Sequence, residues 1–289
     1  MSRARIVKDI CTIFTCEFQD FEAEVSTLEK IKKHDEYTYL HCLNVARLSV
    51  ALGKRFGFNS GMLIDLGWAA LLHDIGKLRV PLNVLNKAKK FTSEELVVMK
   101  SHPVEALTAF AETQTVTLER LRRLSAAFEH HQRYDLKGYP IVQKKLTLHP
   151  FSRIVAVADT FDAMTTDRIY QRRVLPDVAL KIMAQGFGSI FDPTVLQAFI
   201  TSMGAYPVGS LVRLSDESLA VVIKYGKQSS LDRPQIYYVE VRSQRISDLM
   251  AFENKNLRIL RSEFPEDHHI DIPALLEQAE RIQGDSATK

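Results

Sequence analysis

The sequence is poor in cysteine, carries little net charge and has no long hydrophobic run. Its three cysteines among 289 residues have no spacing typical of a disulfide framework or a zinc site. The formal charge of +3 is too small to indicate nucleic acid or a membrane surface as a partner. No apolar run approaches the roughly 20 residues that span a bilayer, and the N-terminus does not resemble a signal peptide. We therefore expect a cytoplasmic protein that binds no DNA, RNA or membrane.

Three zones differ in their sequence patterns. Residues 1–25 predict a helical lead-in, because their apolar residues recur at helical spacing. Residues 26–205 consist of amphipathic helical segments interrupted by glycine and proline. In residues 206–289, short segments rich in β-branched and aromatic residues predict strands at 211–214, 219–224 and 235–241, and a final helix is predicted at 272–282. The expected fold is mainly α, with a small β-rich module at the C-terminus.

Several histidines and aspartates fall on the apolar faces of predicted helices. His131, for example, follows Leu121, Leu124 and Phe128 at helical spacing, and His102 is expected to cap a helix that starts at the next residue. The residues expected to face inward or to lie at a helix end are His41, His73, Asp74, His102, His130, His131, Asp159 and Asp162.

This number of buried polar groups indicates a metal site. One inward histidine is usually a core residue, but burying so many imidazoles and carboxylates without partners costs several kcal/mol. A metal cluster removes that cost, because neutral imidazole and ionised carboxylate become ligands. Nitrogen and oxygen ligands without a thiolate favour Fe, Mn or Zn over Ca or Mg.

The motifs around these residues resemble those of a known family. Residues 73–77, HDIGK, resemble the HDxGK signature of the HD superfamily of metal-dependent phosphohydrolases. Residues 130–140, HHQRYDLKGYP, are similar to the HHExxDGxGYP signature of the HD-GYP group, and residues 157–168 to its VADxFDAMTxxR block. YTYLH at 37–41, SHP at 101–103 and FDP at 191–193 match further motifs in the family's order.

The resemblance implies a helical HD-domain (HD-GYP) bundle that hydrolyses a phosphodiester bond of the second messenger cyclic di-GMP. The products would be the linear dinucleotide, GMP or both. The implied cofactors are two divalent metal ions, with iron or manganese as the usual occupants. By the family's pattern, one ion would be held by His41, His73, Asp74 and Asp159. The other would be held by Asp74, His102, His130 and His131, so that Asp74 bridges the two.

Two metal ions about 3.5–4 Å apart lower the pKa of a bridging water and hold the phosphoryl oxygens for in-line displacement. Asp74 and Lys77 are the expected catalytic residues. Lys77 would act as a phosphate clamp or general acid, unless it is an ordinary surface lysine. Arg168 resembles the family's phosphate-contacting arginine.

The segment Gly138, Tyr139 and Pro140 is expected to line the substrate pocket. In this interpretation, Tyr139 stacks on a guanine base. The alternative for the same segment is a rigid turn, which glycine and proline would form in any case.

Four positions depart from the family's pattern. Tyr37 stands where some members carry a glutamate that recruits a third metal, and a tyrosine cannot replace that carboxylate at neutral pH. Gln132 replaces a common glutamate, Leu136 a common glycine, and Gln171 a common basic residue. These changes leave the implied ligands intact, but they bear on substrate affinity.

Two other functions remain open from the sequence. A catalytically weak module could keep the fold and serve as a sensor that binds nucleotide or a protein partner, although none of the seven implied ligands is missing. An HD phosphohydrolase of another nucleotide is the third possibility, against which the Gly-Tyr-Pro motif argues. The C-terminal module and the Gly-Tyr-Pro loop are the candidate surfaces for a protein partner or for dimerisation.

The tyrosine at position 37 leads to a prediction about metal content. Protein purified without chelators and loaded with Fe²⁺ or Mn²⁺ should contain about two metal ions per chain by elemental analysis, since the carboxylate for a third ion is missing. About three ions per chain would contradict the argument from Tyr37.

Overall fold

A computed structural model describes residues 29–111, 118–142, 147–167, 172–225, 233–243, 245–250 and 257–286. The lead-in predicted for residues 1–25 lies outside these ranges. The chain forms two compact units. One contains the described residues up to Arg173 together with Met183–Phe199, and the other contains Val174–Ile182 and the described residues from Ile200 onward.

The first unit is helical. In chain order the helices are α1 (Glu36–Arg55), α2 (Ser60–Leu71), a 3₁₀-helix (Ile75–Arg79), α3 (Leu82–Leu85), α4 (Ser93–Lys100), α5 (His102–Ala111), α6 (Leu118–Glu129) and α7 (Pro150–Thr165). The helices α8 (Pro176–Ala184) and α9 (Pro193–Met203) follow, and each crosses a limit between the two units. Helices α1, α2 and α7 pack against one another, and α5 packs on the 3₁₀-helix.

Side-chain caps explain where several helices begin. Asp35 accepts a hydrogen bond from the Thr38 backbone N–H at 2.8 Å and starts α1. Asn59 caps α2 in the same way. Thr92 and Glu95 form a reciprocal capping box at the start of α4. These local signals set the helix starts independently of tertiary packing.

Two sequence-based expectations about the helices need correction. The face of Leu121, Leu124 and Phe128 is only partly buried, because Leu121 is 49% exposed and the other two are half-buried, while Ala126 and Ala127 are buried. The helix α5 begins at His102 itself, so His102 is not its cap. His131, which was expected on the buried face, is half-buried, whereas its neighbour His130 is 3% and His102 is 1% exposed.

The second unit contains an antiparallel five-stranded sheet with the order β4-β3-β2-β1-β5. The strands are β1 (Leu211–Leu214), β2 (Leu219–Lys224), β3 (Gln235–Glu240), β4 (Arg245–Met250) and β5 (Ile259–Glu263). The final helix, α10 (Ile272–Ser286), packs on one face of the sheet around the buried residues Leu275 and Ala279. The other face has its own apolar cluster around Val212, Val222 and Ile236.

The mainly helical fold with a C-terminal β-rich module is confirmed. The strands predicted at 211–214, 219–224 and 235–241 match β1, β2 and β3, while β4 and β5 were missed. The domain limit predicted at residue 205 stays a prediction, although the second unit resumes at Ile200. Among the described helices, none is long and apolar enough to cross a membrane.

The segment before β1 is attached to β2 by the side chain of Tyr225. Its hydroxyl accepts a hydrogen bond from the Tyr206 N–H at 3.0 Å and donates one to the Tyr206 carbonyl at 3.1 Å. Its ring lies against Gly204, where a Cβ atom would approach the ring to 2.2 Å. This tyrosine therefore fixes the path of the chain into the sheet.

Replacing Tyr225 by phenylalanine should destabilise the second unit by about 1 kcal/mol, because both hydrogen bonds to Tyr206 are lost while the packing on Gly204 is kept. Chemical denaturation followed by circular dichroism measures the change. An unchanged unfolding midpoint would contradict the role assigned to this hydroxyl.

Candidate metal centre

Asp74 lies in the turn that follows α2 and is 1% exposed. Its Oδ2 atom is 3.3 Å from His73 Nε2 and 3.9 Å from His41 Nε2. Its Oδ1 atom is 3.4 Å from His102 Nε2 and 3.7 Å from His130 Nε2. Each oxygen of this carboxylate therefore faces a different pair of histidines.

The Nδ1 atoms of the buried histidines are occupied by hydrogen bonds that orient the rings. His73 Nδ1 lies 2.7 Å from the Ala70 carbonyl, and His102 Nδ1 lies 2.7 Å from the Met99 carbonyl. His130 Nδ1 lies 2.9 Å from the carbonyl of residue 126. A carbonyl oxygen can only accept, so each Nδ1 donates its N–H, and the lone pair of each Nε2 is left for a ligand role at the centre.

The residues present fit a metal cluster. His73 Nε2 and Asp74 Oδ1 are buried and have no hydrogen-bond partner among the residues that the structure describes, which is costly for polar atoms away from water. The potential ligand atoms form three overlapping groups, and within each group all atoms lie within 4.8 Å of one another. They are Asp74 with His102, His130 and His131; His41 with His73 and Asp74; and His73 with His130 and Asp159. All seven residues expected from the sequence are brought together, and divalent metal binding is the function that such a donor set supports.

The pKa values differ between the two sides of the cluster. Burial acts to lower the pKa of His41, but hydrogen bonds to Asp159 and Asp162 outweigh burial and raise this pKa to about 9. Burial lowers the pKa of His131 to about 4 and that of His130 well below its ordinary value. His130 and His131 are therefore neutral at pH 7, which is the form that binds a metal.

Lys77 lies beside the cluster, one turn beyond Asp74. Its Nζ donates a hydrogen bond to Asp74 Oδ2 at 2.6 Å, and its side chain is 22% exposed. Burial acts to lower the pKa of Lys77, but Asp74 raises it above the ordinary value. Burial likewise opposes the ionisation of Asp74, whereas Lys77 and His73 hold the pKa of this carboxyl well below its usual range. Both groups are charged, as the expected catalytic roles require.

Gly76 permits the close approach that brings His102 into the cluster. A Cβ atom at residue 76 would lie 1.8 Å from the His102 carbonyl oxygen and 2.7 Å from the Ala106 nitrogen. Both are backbone atoms at the start of α5, so neither can move aside alone. The glycine of the HDIGK motif is thus explained by packing between the 3₁₀-helix and α5.

The Gly-Tyr-Pro loop is held against the cluster by Gln132. The Gln132 side-chain amide donates a hydrogen bond to the Pro140 carbonyl, and Gln132 Oε1 accepts one from the Gly138 N–H at 3.2 Å. The Tyr139–Pro140 bond is cis, and Leu136 adopts a positive φ of 62°. Leu136 stands where the family commonly has glycine, which is the residue that this backbone conformation favours. The glutamine thus retains a structural role at a position where the family commonly has glutamate.

Tyr139 contacts the cluster directly. Its ring stacks on that of His131, with centroids 4.6 Å apart and an interplanar angle of 24°. Lys100 Nζ lies 5.4 Å from the same ring. The stacking of Tyr139 on a guanine base stays a prediction.

The FDP motif is linked to the segment that precedes the Gly-Tyr-Pro loop. Asp192 accepts a hydrogen bond from Arg153 at 3.0 Å, and the Arg153 guanidinium lies 5.9 Å from the Tyr134 ring. The Tyr134 N–H also donates to the carbonyl of Ile190 at 2.9 Å. The motif therefore has a structural function here.

The expected phosphate ligand Arg168 lies outside the described residues, and so does Gln171. On either side of them, Asp167 accepts a hydrogen bond from the Arg173 N–H at 3.0 Å and pairs with its guanidinium at 2.6 Å. This pair brings the two ends of the Arg168 segment together. The phosphate-binding role of Arg168 stays a prediction.

Two neighbours of the cluster were not among the expected site residues. Asp162 lies 2.7 Å from His41 Nδ1, and its position on the same helical face as Asp159 was the available signal. The ring of Tyr37 is nearly parallel to that of His41, with centroids 6.3 Å apart. By contrast, His268 and His149 are not part of the cluster. His268 pairs with Glu263, and His149 caps α7.

Comparison with known proteins identifies the family. The HD domain family matches residues 24–195, which is more than half of the chain. The chain therefore belongs to the HD domain family, and the recognition of the HD-GYP group from its motifs is confirmed by its relatives.

Three relatives illustrate the similarity. A cyclic di-GMP phosphodiesterase of Pseudomonas aeruginosa is 35% identical over 73% of this chain and 50% of its own length. A cyclic di-GMP phosphodiesterase of Thermotoga maritima is 32% identical over 65% of this chain and 51% of its own. A 3′3′-cGAMP-specific phosphodiesterase of Vibrio cholerae is 32% identical over 51% of this chain and 33% of its own. The chain spans about half the length of the first two relatives.

The close packing at Gly76 can be tested by adding one methyl group. Gly76→Ala should destabilise the helical unit by about 1–3 kcal/mol, and it should weaken metal binding because α5 and His102 are displaced. Thermal unfolding and Mn²⁺ titration measure the two effects.

Gly61→Ala is the matched control. It adds the same methyl group near the start of α2, where the nearest neighbour is Asn59 Oδ1 at an ordinary 3.6 Å. The melting temperature of this variant should be no lower than that of the wild type, because alanine is a better helix former than glycine. If both variants behave alike, the packing argument fails.

Proposed function

We propose that the protein is a phosphodiesterase that uses two divalent metal ions to hydrolyse cyclic di-GMP to the linear dinucleotide, to GMP, or to both. The observation that carries the proposal is the position of the Asp74 carboxylate, whose oxygens face separate pairs of histidines at 3.3–3.9 Å. One buried carboxylate shared in this way suits a bridging ligand between two ions. The names of the relatives support the substrate.

The metal ligands in this proposal are those implied by the sequence. His41, His73 and Asp159 would serve one ion. His102, His130 and His131 would serve the other, and Asp74 would serve both. Iron or manganese suits this donor set, because imidazole and carboxylate ligands without a thiolate favour metals of this class. The bound ions would supply Lewis-acid chemistry and an activated water.

The protein's own residues would bind and orient the substrate. The Lys77 ammonium, next to Asp74, is suited to contact a phosphoryl oxygen and offset the negative charge that accumulates there. Arg168 would grip a phosphate with its two-pronged guanidinium. Gly138, Tyr139 and Pro140 would form the edge of the pocket, held in place by Gln132.

Two alternatives guide the test. A module that only binds nucleotide or a protein partner would be expected to lose metal ligands, and this chain keeps all seven. The V. cholerae relative makes 3′3′-cGAMP a necessary comparison substrate. A cytoplasmic location and a partner at the C-terminal module or the Gly-Tyr-Pro loop stay predictions.

The decisive experiment follows turnover by the metal-loaded protein. Wild type loaded anaerobically with Fe²⁺, or with Mn²⁺, should convert cyclic di-GMP to linear products seen by chromatography. Asp74→Asn should lower the turnover rate by at least the roughly 10–100-fold that is expected even when a residue outside the ligand set is removed. The reason is that the carboxylate that faces four histidines is gone.

Asp65→Asn provides the matched control. Asp65 is also a buried aspartate of the helical unit, but it pairs with Arg123 at 2.9 Å and lies outside the metal cluster. This variant should retain turnover below its melting temperature. Absence of turnover by metal-loaded wild type would refute the proposed enzymatic activity. Faster turnover of 3′3′-cGAMP than of cyclic di-GMP would refute the proposed substrate.

A further inference from the structure

Four histidines of the cluster have a described partner at Nδ1, and in one of them this partner differs in kind from the other three. His73, His102 and His130 each lie against a backbone carbonyl. His41 Nδ1 instead lies 2.7 Å from Oδ2 of Asp162. We infer that Asp162 is a positioning residue that fixes the tautomer of His41 and strengthens the metal position formed by His41, His73 and Asp74. The inference rests on the proposed metal-dependent function.

The surroundings of Asp162 suit this role. It is 5% exposed and lies on α7, three residues after Asp159, so that both carboxylates reach the same imidazole. Asp159 Oδ1 lies 3.0 Å from His41 Nε2, on the opposite side of the ring. Thr166 donates to Asp162 Oδ1 at 3.2 Å and helps to orient the carboxylate. The imidazole is therefore held from both sides.

The consequence for metal binding follows from the charge of the partner. A carboxylate accepts only, so a His41 that binds a metal ion through Nε2 would keep its one proton on Nδ1, where Asp162 accepts it. A charged acceptor also makes the imidazole more basic than a neutral carbonyl does, and the imidazole becomes a stronger ligand. Removal of such outer partners typically costs 10–100-fold in metal affinity. Here the loss should be confined to one of two metal positions, because His102 and His130, which would serve the other position, use backbone carbonyls.

The test is a titration of metal-free protein with Mn²⁺ alone, in which free Mn²⁺ is followed by electron paramagnetic resonance. In Asp162→Asn, which keeps the shape but removes the charge, one class of sites should weaken by about 10–100-fold. The other class should stay within about threefold of wild type. The ¹⁵N spectrum of Zn²⁺-loaded protein with labelled histidine should also show a shifted Nδ1–H signal for His41 only.

Thr165→Val is the control on the same helical turn. Its hydroxyl donates to the Phe161 carbonyl at 2.8 Å and makes no contact with Asp162 among the hydrogen bonds of the described residues. Both site classes of this variant should match those of wild type. The melting temperature of each metal-free variant shows whether the fold itself has weakened.

Three outcomes would overturn the inference. They are unchanged Mn²⁺ affinities in Asp162→Asn, an equal loss at both classes of site, or the absence of Mn²⁺ binding by wild type. An equal loss together with a lower melting temperature would indicate a merely structural role. Since no substrate is used, wild type that binds Mn²⁺ as expected but hydrolyses no cyclic dinucleotide refutes the proposed function and leaves this inference standing.

Discussion

The structure depends on one buried negative charge, the carboxylate of Asp74. A carboxylate that is 1% exposed is expensive to keep ionised unless nearby groups compensate for the lost water. Lys77 provides one cation at 2.6 Å, and four Nε2 atoms surround the two oxygens. One lysine does not satisfy both oxygens, since Oδ1 has no hydrogen-bond partner in the described part of the chain. Divalent metal binding at the cluster would resolve this imbalance.

The helical scaffold serves this charge through contacts that are remote in sequence. The turn after α2 carries His73 and Asp74, the start of α5 carries His102, and the end of α6 is followed by His130. Helix α7 contributes Asp159 and, three residues later, Asp162. Gly76 allows α5 to approach, and Gln132 holds the Gly-Tyr-Pro loop. These features bring the side chains of the cluster together or fix the loop beside it.

The seven residues singled out from the sequence come together in the structure, and local motifs carry most of them. HDIGK, the histidine pair and the aspartate of α7 are recognisable without knowledge of their contacts. Helical periodicity was less reliable. In the stripe of Leu121, Leu124 and Phe128, Leu121 is 49% exposed and the other two are half-buried, whereas the small residues Ala126 and Ala127 are buried by helix packing. The strands β4 and β5 were missed because they lie at the sheet edges, where polar residues break the alternating pattern.

The amino-acid sequence by itself determined the family, the helical class and the candidate ligands, since these follow from local spacing and residue chemistry. Only the tertiary structure decided which oxygen of Asp74 faces which histidine, and that Tyr139 stacks on His131. It also decided that His41 alone among the orienting pairs described here bonds a carboxylate instead of a carbonyl. These relations join residues up to 121 positions apart, and no local pattern encodes such distances.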